Sequence, residues 1–203
     1  MESINDLDEA GLLGYFETIK GVFLLKLIFL VSVIKEKEGK RFIELPDELA
    51  QAVPKLEKEF NDPLFFKALK LGNEELISNY LEDIVSSALS SSWNVFEQII
   101  KTLIHGNYSE GVQQMTANYE NSRFKFDKRE KQNIELFYYI RNSVSHYNGA
   151  YYAYRSIDHR YKGTDFKSDG CVGEKIIISP KLVYEIICDL EAYSIKAWQN
   201  AKP

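Results

Sequence analysis

The residues best able to do chemistry lie in one short polar run, RNSVSH, at positions 141–146. Arginine offers phosphate oxygens a planar fork of donors, and imidazole transfers protons near neutral pH. At about 100° per residue, one arc of a helix holds, in angular order, Arg141, Ser145, Tyr138, Asn142 and His146. This set of side chains can bind and act on a phosphodiester. The arc contains no pair of carboxylates, so two-metal hydrolysis is not indicated.

The expected position of His146 supports a chemical role. It falls in the last predicted turn before Asn148-Gly149, where the negative carbonyl end of a helix favours imidazolium. Asn142 lies four residues earlier and is within reach of the ring. The structural alternative is a solvated arginine and a histidine that only caps the helix. Residue spacing alone does not distinguish this alternative from a catalytic role.

Several helices are expected to position this run. The motif helix should extend from about Asp127, a candidate N-cap, to Tyr147. Apolar residues at three- and four-residue steps predict helices over residues 12–34 and 77–103, and a last helix opened by Pro180. Shorter connecting helices are expected at residues 47–60 and 63–71, and two strands at 151–154 and 174–179. The predicted fold is therefore an all-α antiparallel helical bundle with a small β-hairpin insertion before the last helix.

The most hydrophobic stretch, residues 22–34, contains Lys26 and is shorter than the roughly 20 residues that a membrane-spanning helix needs. It is predicted to be a buried core helix, which the charged run 35–41 ends. The small residues of positions 86–92 would allow another helix to approach closely, or they form a solvent-facing serine run.

The composition is that of an ordinary globular protein, with 45% hydrophobic and 27% charged residues. A net charge of -5 argues against nonspecific coating of duplex nucleic acid. Cys171 and Cys188 are too few for a disulfide framework, and three scattered histidines suggest no metal. Together with an acidic N-terminus, this predicts a cytoplasmic protein without cofactor.

The run from Arg141 to His146 resembles the R-x(4-6)-H motif of the HEPN superfamily, including the polar residue directly after the arginine. The resemblance covers roughly residues 73–201: a long helix with a small-residue stretch, a motif near the end of a later helix, a hairpin and a closing helix. We predict a single HEPN-like helical domain over residues 1–203, in which residues 73–203 form the motif-bearing bundle. The resemblance does not explain residues 1–72, which are predicted to form an N-terminal helical extension packed on this bundle.

The resemblance also implies a metal-independent endoribonuclease of defence or toxin-antitoxin systems, which pairs as a homodimer and cuts single-stranded RNA. Arg141 would hold the scissile phosphate, His146 would exchange protons, and Asn142 would position His146 or the phosphate. A cognate antitoxin protein is a further candidate partner, and a membrane is not expected. The alternative is a non-catalytic HEPN-like module that binds RNA or another protein, which the acidic pI favours.

Substrate contacts are expected around the motif. Tyrosines at positions 147, 151, 152 and 154 could stack unpaired bases, and a basic cluster of Arg155, His159, Arg160 and Lys162 could follow the RNA backbone. The other interpretation is a strand pair packed on the bundle and a solvated loop. The substrate-binding residues predicted are Tyr138, Ser145, Tyr147, Asn148, Arg155 and Arg160.

Overall fold

The computed structural model describes residues 9–44, 74–105, 122–146, 156–169 and 176–201, and six single positions between residues 47 and 58. This part of the chain is mainly helical with two small antiparallel hairpins, which confirms the mainly α class. The helix predicted at 63–71 lies outside the described residues, as does most of 47–60. The elements are α1 (Glu9–Val33), β1 (Ile34–Lys37), β2 (Lys40–Ile43), α2 (Glu74–His105), a 3-10 turn (Ser122–Phe124), α3 (Lys128–His146), β3 (Ile157–Tyr161), β4 (Thr164–Ser168) and α4 (Pro180–Ala201).

The chain divides into two compact units, one formed by residues 1–21 with 85–203 and the other by residues 22–84. Helices α1 and α2 each contribute residues to both units. The predicted division into a 1–72 extension and a 73–203 bundle stays a prediction.

Helix α2 keeps the predicted apolar stripe. Ile77, Ile84, Phe96 and Ile99 are all buried, and the helix ends at His105 as expected. The serine-rich stretch is divided between core and surface. Its buried members are Ala88, Leu89 and Ser92, whereas Ser87 and Ser91 are exposed.

Helix α4 begins at Pro180, as predicted. Proline suits a first helical position because its missing N–H would find no partner there, and its fixed φ already fits a helix. Ser179 caps the helix, since its Oγ accepts a hydrogen bond from the Leu182 amide at 3.2 Å. The predicted apolar face is buried in full: Val183, Ile186, Ile187, Leu190, Tyr193 and Ala197.

Helix α3 begins with a reciprocal cap. Asp127 Oδ1 accepts a hydrogen bond from the Glu130 amide at 2.8 Å, and Glu130 Oε2 accepts one from the Asp127 amide at 2.7 Å. This capping box satisfies two amides that the helix leaves unpaired, and it confirms Asp127 as the N-cap. Glu130 also accepts hydrogen bonds from Lys196 Nζ at 2.8 and 2.6 Å, which ties the start of α3 to α4.

An aromatic cluster holds α3, α4 and the β3–β4 hairpin together. The Phe137 ring meets Tyr161 edge-on at a centroid distance of 5.0 Å and lies nearly parallel to Tyr193 at 6.4 Å. Phe126 packs on the other side of Tyr193 at 5.9 Å. Phe137, Tyr161 and Tyr193 are each less than a tenth exposed, so this cluster forms the core beneath the motif helix.

A hairpin precedes the last helix, as predicted, but its strands are not the expected ones. Strands β3 and β4 pair antiparallel, from Ile157 opposite Ser168 to Tyr161 opposite Thr164. Lys162 and Gly163 join them with φ values of 47° and 86°, the positive angles that a tight two-residue turn of type I′ needs. The predicted strand at 174–179 is wrong over 176–179, which contain no regular structure, and 151–154 lie outside the described residues.

A second hairpin was not predicted. The charged run that was expected only to end the first helix forms β1 and β2, with Ile34 opposite Ile43 and Lys37 opposite Lys40. Its turn, Glu38-Gly39, also has positive φ values, 56° and 74°. The Glu44 amide then bonds to the Val33 carbonyl at 2.7 Å, which closes the hairpin back onto the end of α1.

Helix α1 confirms the long first helix, and its first half is attached to α4 by an ion pair between Lys20 and Glu191 at 3.0 Å. The prediction that residues 22–34 form a buried core helix is wrong for half of the helix surface. Phe23 and Leu30 are buried, but Leu25 and Ile28 are more than three-fifths exposed. Within the described part of the chain, no helix is long and apolar enough to cross a membrane.

Candidate functional site

The motif run forms the last turn and a half of α3, which ends at His146. Phe137 and Ile140 are buried on the core side, whereas Tyr138, Arg141 and Asn142 are partly exposed. The helix therefore presents part of the predicted polar arc while its apolar stripe faces the core. Two of the predicted site residues, Ser145 and His146, are placed as helical positions, but their side chains lie outside the described part.

Arg141 and Asn142 are joined directly. Arg141 Nη1 donates a hydrogen bond to Asn142 Oδ1 at 2.8 Å. A guanidinium carries five N–H donors, so this bond fixes the orientation of the group while engaging one of them. The sequence did not predict this bond, and the predicted role of Asn142 in positioning His146 or the phosphate stays a prediction.

Ser143 and Tyr138, two residues near this pair on α3, make packing contacts. Ser143 is fully buried, and its hydroxyl donates to the Tyr139 carbonyl at 2.9 Å. The Tyr138 ring packs against Trp93 of α2 at a centroid distance of 5.4 Å. Tyr138 thus has a structural contact on one ring face, and its predicted role in RNA binding stays a prediction.

A hydrogen-bonded chain that the sequence did not reveal passes through Asn133 of α3, about two turns before the motif. His159 Nε2 lies 3.0 Å from Asn133 Oδ1, and Asn133 Nδ2 donates to the Tyr193 hydroxyl at 3.0 Å. Since an amide oxygen only accepts, Nε2 carries the imidazole hydrogen. Burial, and next the positive charge of Arg129, lower the pKa of His159 below its usual 6.5. His159 therefore acts as an inward-facing neutral group rather than as part of a basic surface.

A small cavity adjoins this chain between α3 and β3. Its volume is about 160 Å³. The lining combines Tyr139 and Leu136 with polar side chains, and its full set is Gln132, Glu135, Leu136, Tyr139, Ser156, Ile157, Asp158 and His159. Among the described residues, no group of three or more histidine, cysteine, aspartate or glutamate side chains is placed to hold a metal ion.

The hairpin cations are paired with carboxylates. Arg160 lies 3.6 Å from Asp165, and Lys162 lies 3.7 Å from Asp189. Asp189 also accepts a hydrogen bond from the Tyr161 hydroxyl at 2.9 Å. These pairs reduce the positive field that the hairpin offers to a phosphate backbone. Tyr147, Asn148 and Arg155 lie outside the described residues, so their predicted RNA contacts stay predictions, as does that of Arg160.

The lowered pKa of His159 predicts a specific pH dependence of stability. An unfolded histidine binds a proton near pH 6.5, whereas folded His159 binds it only at lower pH, so acid favours the unfolded chain. We expect the free energy of unfolding to fall as the pH drops from about 7 through 6.5. The His159→Gln variant should lose part of this dependence. Urea denaturation of both proteins across this range measures it, and equal slopes would contradict the assignment.

Comparisons with models of protein families, with curated proteins and with solved structures found no match to this chain. The resemblance to the HEPN superfamily therefore depends on the motif residues and on the order of the elements around them.

Proposed function

We propose that this protein is a metal-independent endoribonuclease that cuts single-stranded RNA, acting in defence or in a toxin-antitoxin system. The observation that carries the proposal is Arg141, a partly exposed residue whose guanidinium is hydrogen-bonded to Asn142, five residues before α3 ends at His146. A phosphate-binding cation thus precedes, on one helix, a residue able to transfer protons near neutral pH.

In the proposed reaction the RNA supplies its own nucleophile. The ribose 2′-oxygen loses its proton to an imidazole and bonds to the adjacent phosphorus, and the bond from phosphorus to the 5′-oxygen breaks. The leaving 5′-oxygen takes up a proton. Arg141 stabilises the negative charge that develops on the phosphate oxygens. The products are a 2′,3′-cyclic phosphate and a 5′-hydroxyl.

Proton transfer at both ends of the reaction is served best by two imidazoles, because one must accept a proton while the other gives one. We propose that two copies of the chain pair and that each contributes its motif helix to one groove. The described helices would then form the antiparallel bundle of the HEPN fold. RNA would contact Tyr138, Ser145, Tyr147, Asn148, Arg155 and Arg160, and a cognate antitoxin would restrain the enzyme in the cytoplasm.

A second candidate function is a non-catalytic module that binds RNA or a protein through the same surface. The ion pairs of Arg160 and Lys162 favour it, because cations already paired with carboxylates attract a polyanion weakly. The net charge of -5 has the same effect. In this interpretation the surface docks a protein, or holds RNA weakly, and no RNA is cut.

Cleavage is expected to continue in EDTA and to prefer unpaired RNA. Attack by the 2′-oxygen needs no metal, but it needs a backbone flexible enough to align the nucleophile with the leaving oxygen. The test compares the cleavage rate of one labelled RNA as a single strand and annealed to its complement, each with EDTA and with magnesium. Activity lost in EDTA and restored by magnesium would place the enzyme in another class, and binding without cleavage would favour the second candidate.

A further inference from the structure

The second half of α1 exposes an unusually apolar surface. Six large hydrophobic side chains between residues 22 and 31 are 39 to 72% exposed, and Val31 is the most exposed of them. At about 100° per residue they cover half of the helix circumference, while Phe23, Leu30 and Val33 are buried on the other side. We call this surface the apolar face of α1; its members are Val22, Leu24, Leu25, Ile28, Phe29 and Val31.

Exposed apolar residues scattered one by one are ordinary, but a contiguous face of this kind marks an interaction surface. Burying such side chains against lipid or protein removes them from water at a gain of roughly 25 cal/mol per Å² of apolar area. The face lies wholly within the unit formed by residues 22–84. It shares no residue with the motif on α3.

The hairpin that directly follows α1 carries three exposed lysines, Lys35, Lys37 and Lys40. Residues directly opposite each other in an antiparallel pair share one face, so the register places Lys35 with Phe42, and Lys37 with Lys40, on the same side. The other side pairs Glu36 with Arg41. In the described part of the chain, Lys35, Lys37 and Lys40 make no ion pair; we call them the lysine face.

The lysine face is suited to bind an anionic partner. Like charges directly opposite each other destabilise a hairpin, and an anion lying against them would relieve that cost. Lys35 follows the end of α1 by two residues, and a strand rises about 3.3 Å per residue. The lysine face therefore begins about 7 Å from the end of α1.

We propose that the apolar face and the lysine face together bind the surface of an anionic lipid bilayer. The helix would lie in the plane of the interface with its apolar side chains among the upper acyl chains, while the lysines contact lipid phosphates. A single weak signal anchors a protein only marginally, whereas an apolar insertion combined with basic residues gives stable attachment. This differs from the sequence-based expectation that a membrane is not a partner.

A second copy of the chain fits this surface less well. The face extends over only ten residues, or about 15 Å along one helix. A standard protein interface buries about 800 Å² on each partner, which is more than a face of this length supplies. A two-fold contact would also bring the lysines of both copies to the same interface, where equal charges repel.

The test is flotation of the purified full-length chain with vesicles of phosphatidylcholine alone or mixed with phosphatidylglycerol. The wild type should float with the anionic vesicles and stay unbound with the neutral ones. Replacing Lys35, Lys37 and Lys40 by alanine should weaken binding about a hundredfold, at about fivefold for each lysine. A matched triple variant of exposed lysines elsewhere, Lys128→Ala, Lys167→Ala and Lys181→Ala, should bind like the wild type.

The apolar face is tested by Leu25→Glu with Ile28→Glu, which should abolish flotation without lowering the melting temperature, because both side chains are exposed. Absence of flotation by the wild type would overturn the proposal. Unchanged flotation of the variant with Leu25→Glu and Ile28→Glu would also overturn it. If the same pair converts a dimer into a monomer in sedimentation while flotation is absent, the occupant is a second copy. None of these readouts depends on RNA cleavage.

Discussion

His146→Ala is expected to slow RNA cleavage by about 10²- to 10⁴-fold, which is the usual cost of losing a group that transfers a proton in the transition state. Arg141→Ala should cost a comparable factor, since it removes a donor to the charged phosphate. Both variants should keep the wild-type melting temperature, because helical spacing places both positions on the predicted polar arc, away from the buried stripe of Phe137 and Ile140. Single-turnover cleavage of a labelled RNA and thermal unfolding are measured on the same preparations.

The chain offers a matched control for each variant. His105 is the last residue of α2, as His146 is of α3, so His105→Ala removes a terminal imidazole without touching the motif. Arg129 lies on the same helix as Arg141 and is exposed. Both controls should cleave at nearly the wild-type rate. If His146→Ala lowers the melting temperature and His105→Ala does not, His146 is a structural cap. If the His146→Ala variant cleaves RNA at the wild-type rate, the catalytic assignment is wrong.

Phe137→Ala is expected to destabilise the fold by about 3–5 kcal/mol, the cost of deleting a buried phenylalanine side chain. Only 1% of Phe137 is exposed, and its ring joins Tyr161 of β3 to Tyr193 of α4. For a chain of this length, such a loss lowers the melting temperature by about 10 °C. Calorimetry or circular dichroism of the variant gives the shift.

Phe29→Ala is the matched control, because Phe29 is 39% exposed and its removal leaves no buried cavity. The two phenylalanine variants should therefore differ by several kcal/mol in the free energy of unfolding. Equal melting temperatures would show that the aromatic cluster is not the core of the unit that carries the motif. At temperatures well below its transition, Phe137→Ala should still cleave RNA, which separates stability from chemistry.

The helices were predictable where local signals agreed with tertiary packing. Helix α4 shows this agreement, because Pro180 marks its start and every residue of its predicted stripe is buried. Helix α3 shows it again, since Asp127 caps the N-terminus as its residue type suggests. In both helices the cap is formed by residues close in sequence, and the apolar stripe is buried by packing against a single surface.

The hairpins were harder to predict because their strands carry charge. The run KEKEGKR around Gly39 has the composition of a solvated loop, and strand propensity depends strongly on context. A usable signal was present in both hairpins, namely a glycine as the second of two turn residues, in Glu38-Gly39 and Lys162-Gly163. The exposed half of α1 could not be foreseen, since an apolar sequence shows what should be buried but not what buries it.

For the candidate site, the sequence identified the polar arc of side chains but not the hydrogen bonds in and around it. The bond between Arg141 and Asn142 joins neighbours, so spacing rules for helix faces do not predict it. The chain His159, Asn133 and Tyr193 joins three separate elements, which only the tertiary fold brings together. His159 looked like part of a basic cluster because its neighbours Arg160 and Lys162 are cationic, but strand alternation turns it to the other side of the hairpin.

The most direct test of the proposed chemistry is the mass of the RNA fragments released in EDTA by the wild type and by Arg141→Ala. The proposal predicts that the wild type leaves a 2′,3′-cyclic phosphate on the upstream fragment and a 5′-hydroxyl on the downstream one. It also predicts that Arg141→Ala leaves the RNA intact, and that a 2′-deoxy substitution at the cleaved nucleotide protects it. Fragments with a 5′-phosphate, or cleavage that survives the 2′-deoxy substitution, would contradict it.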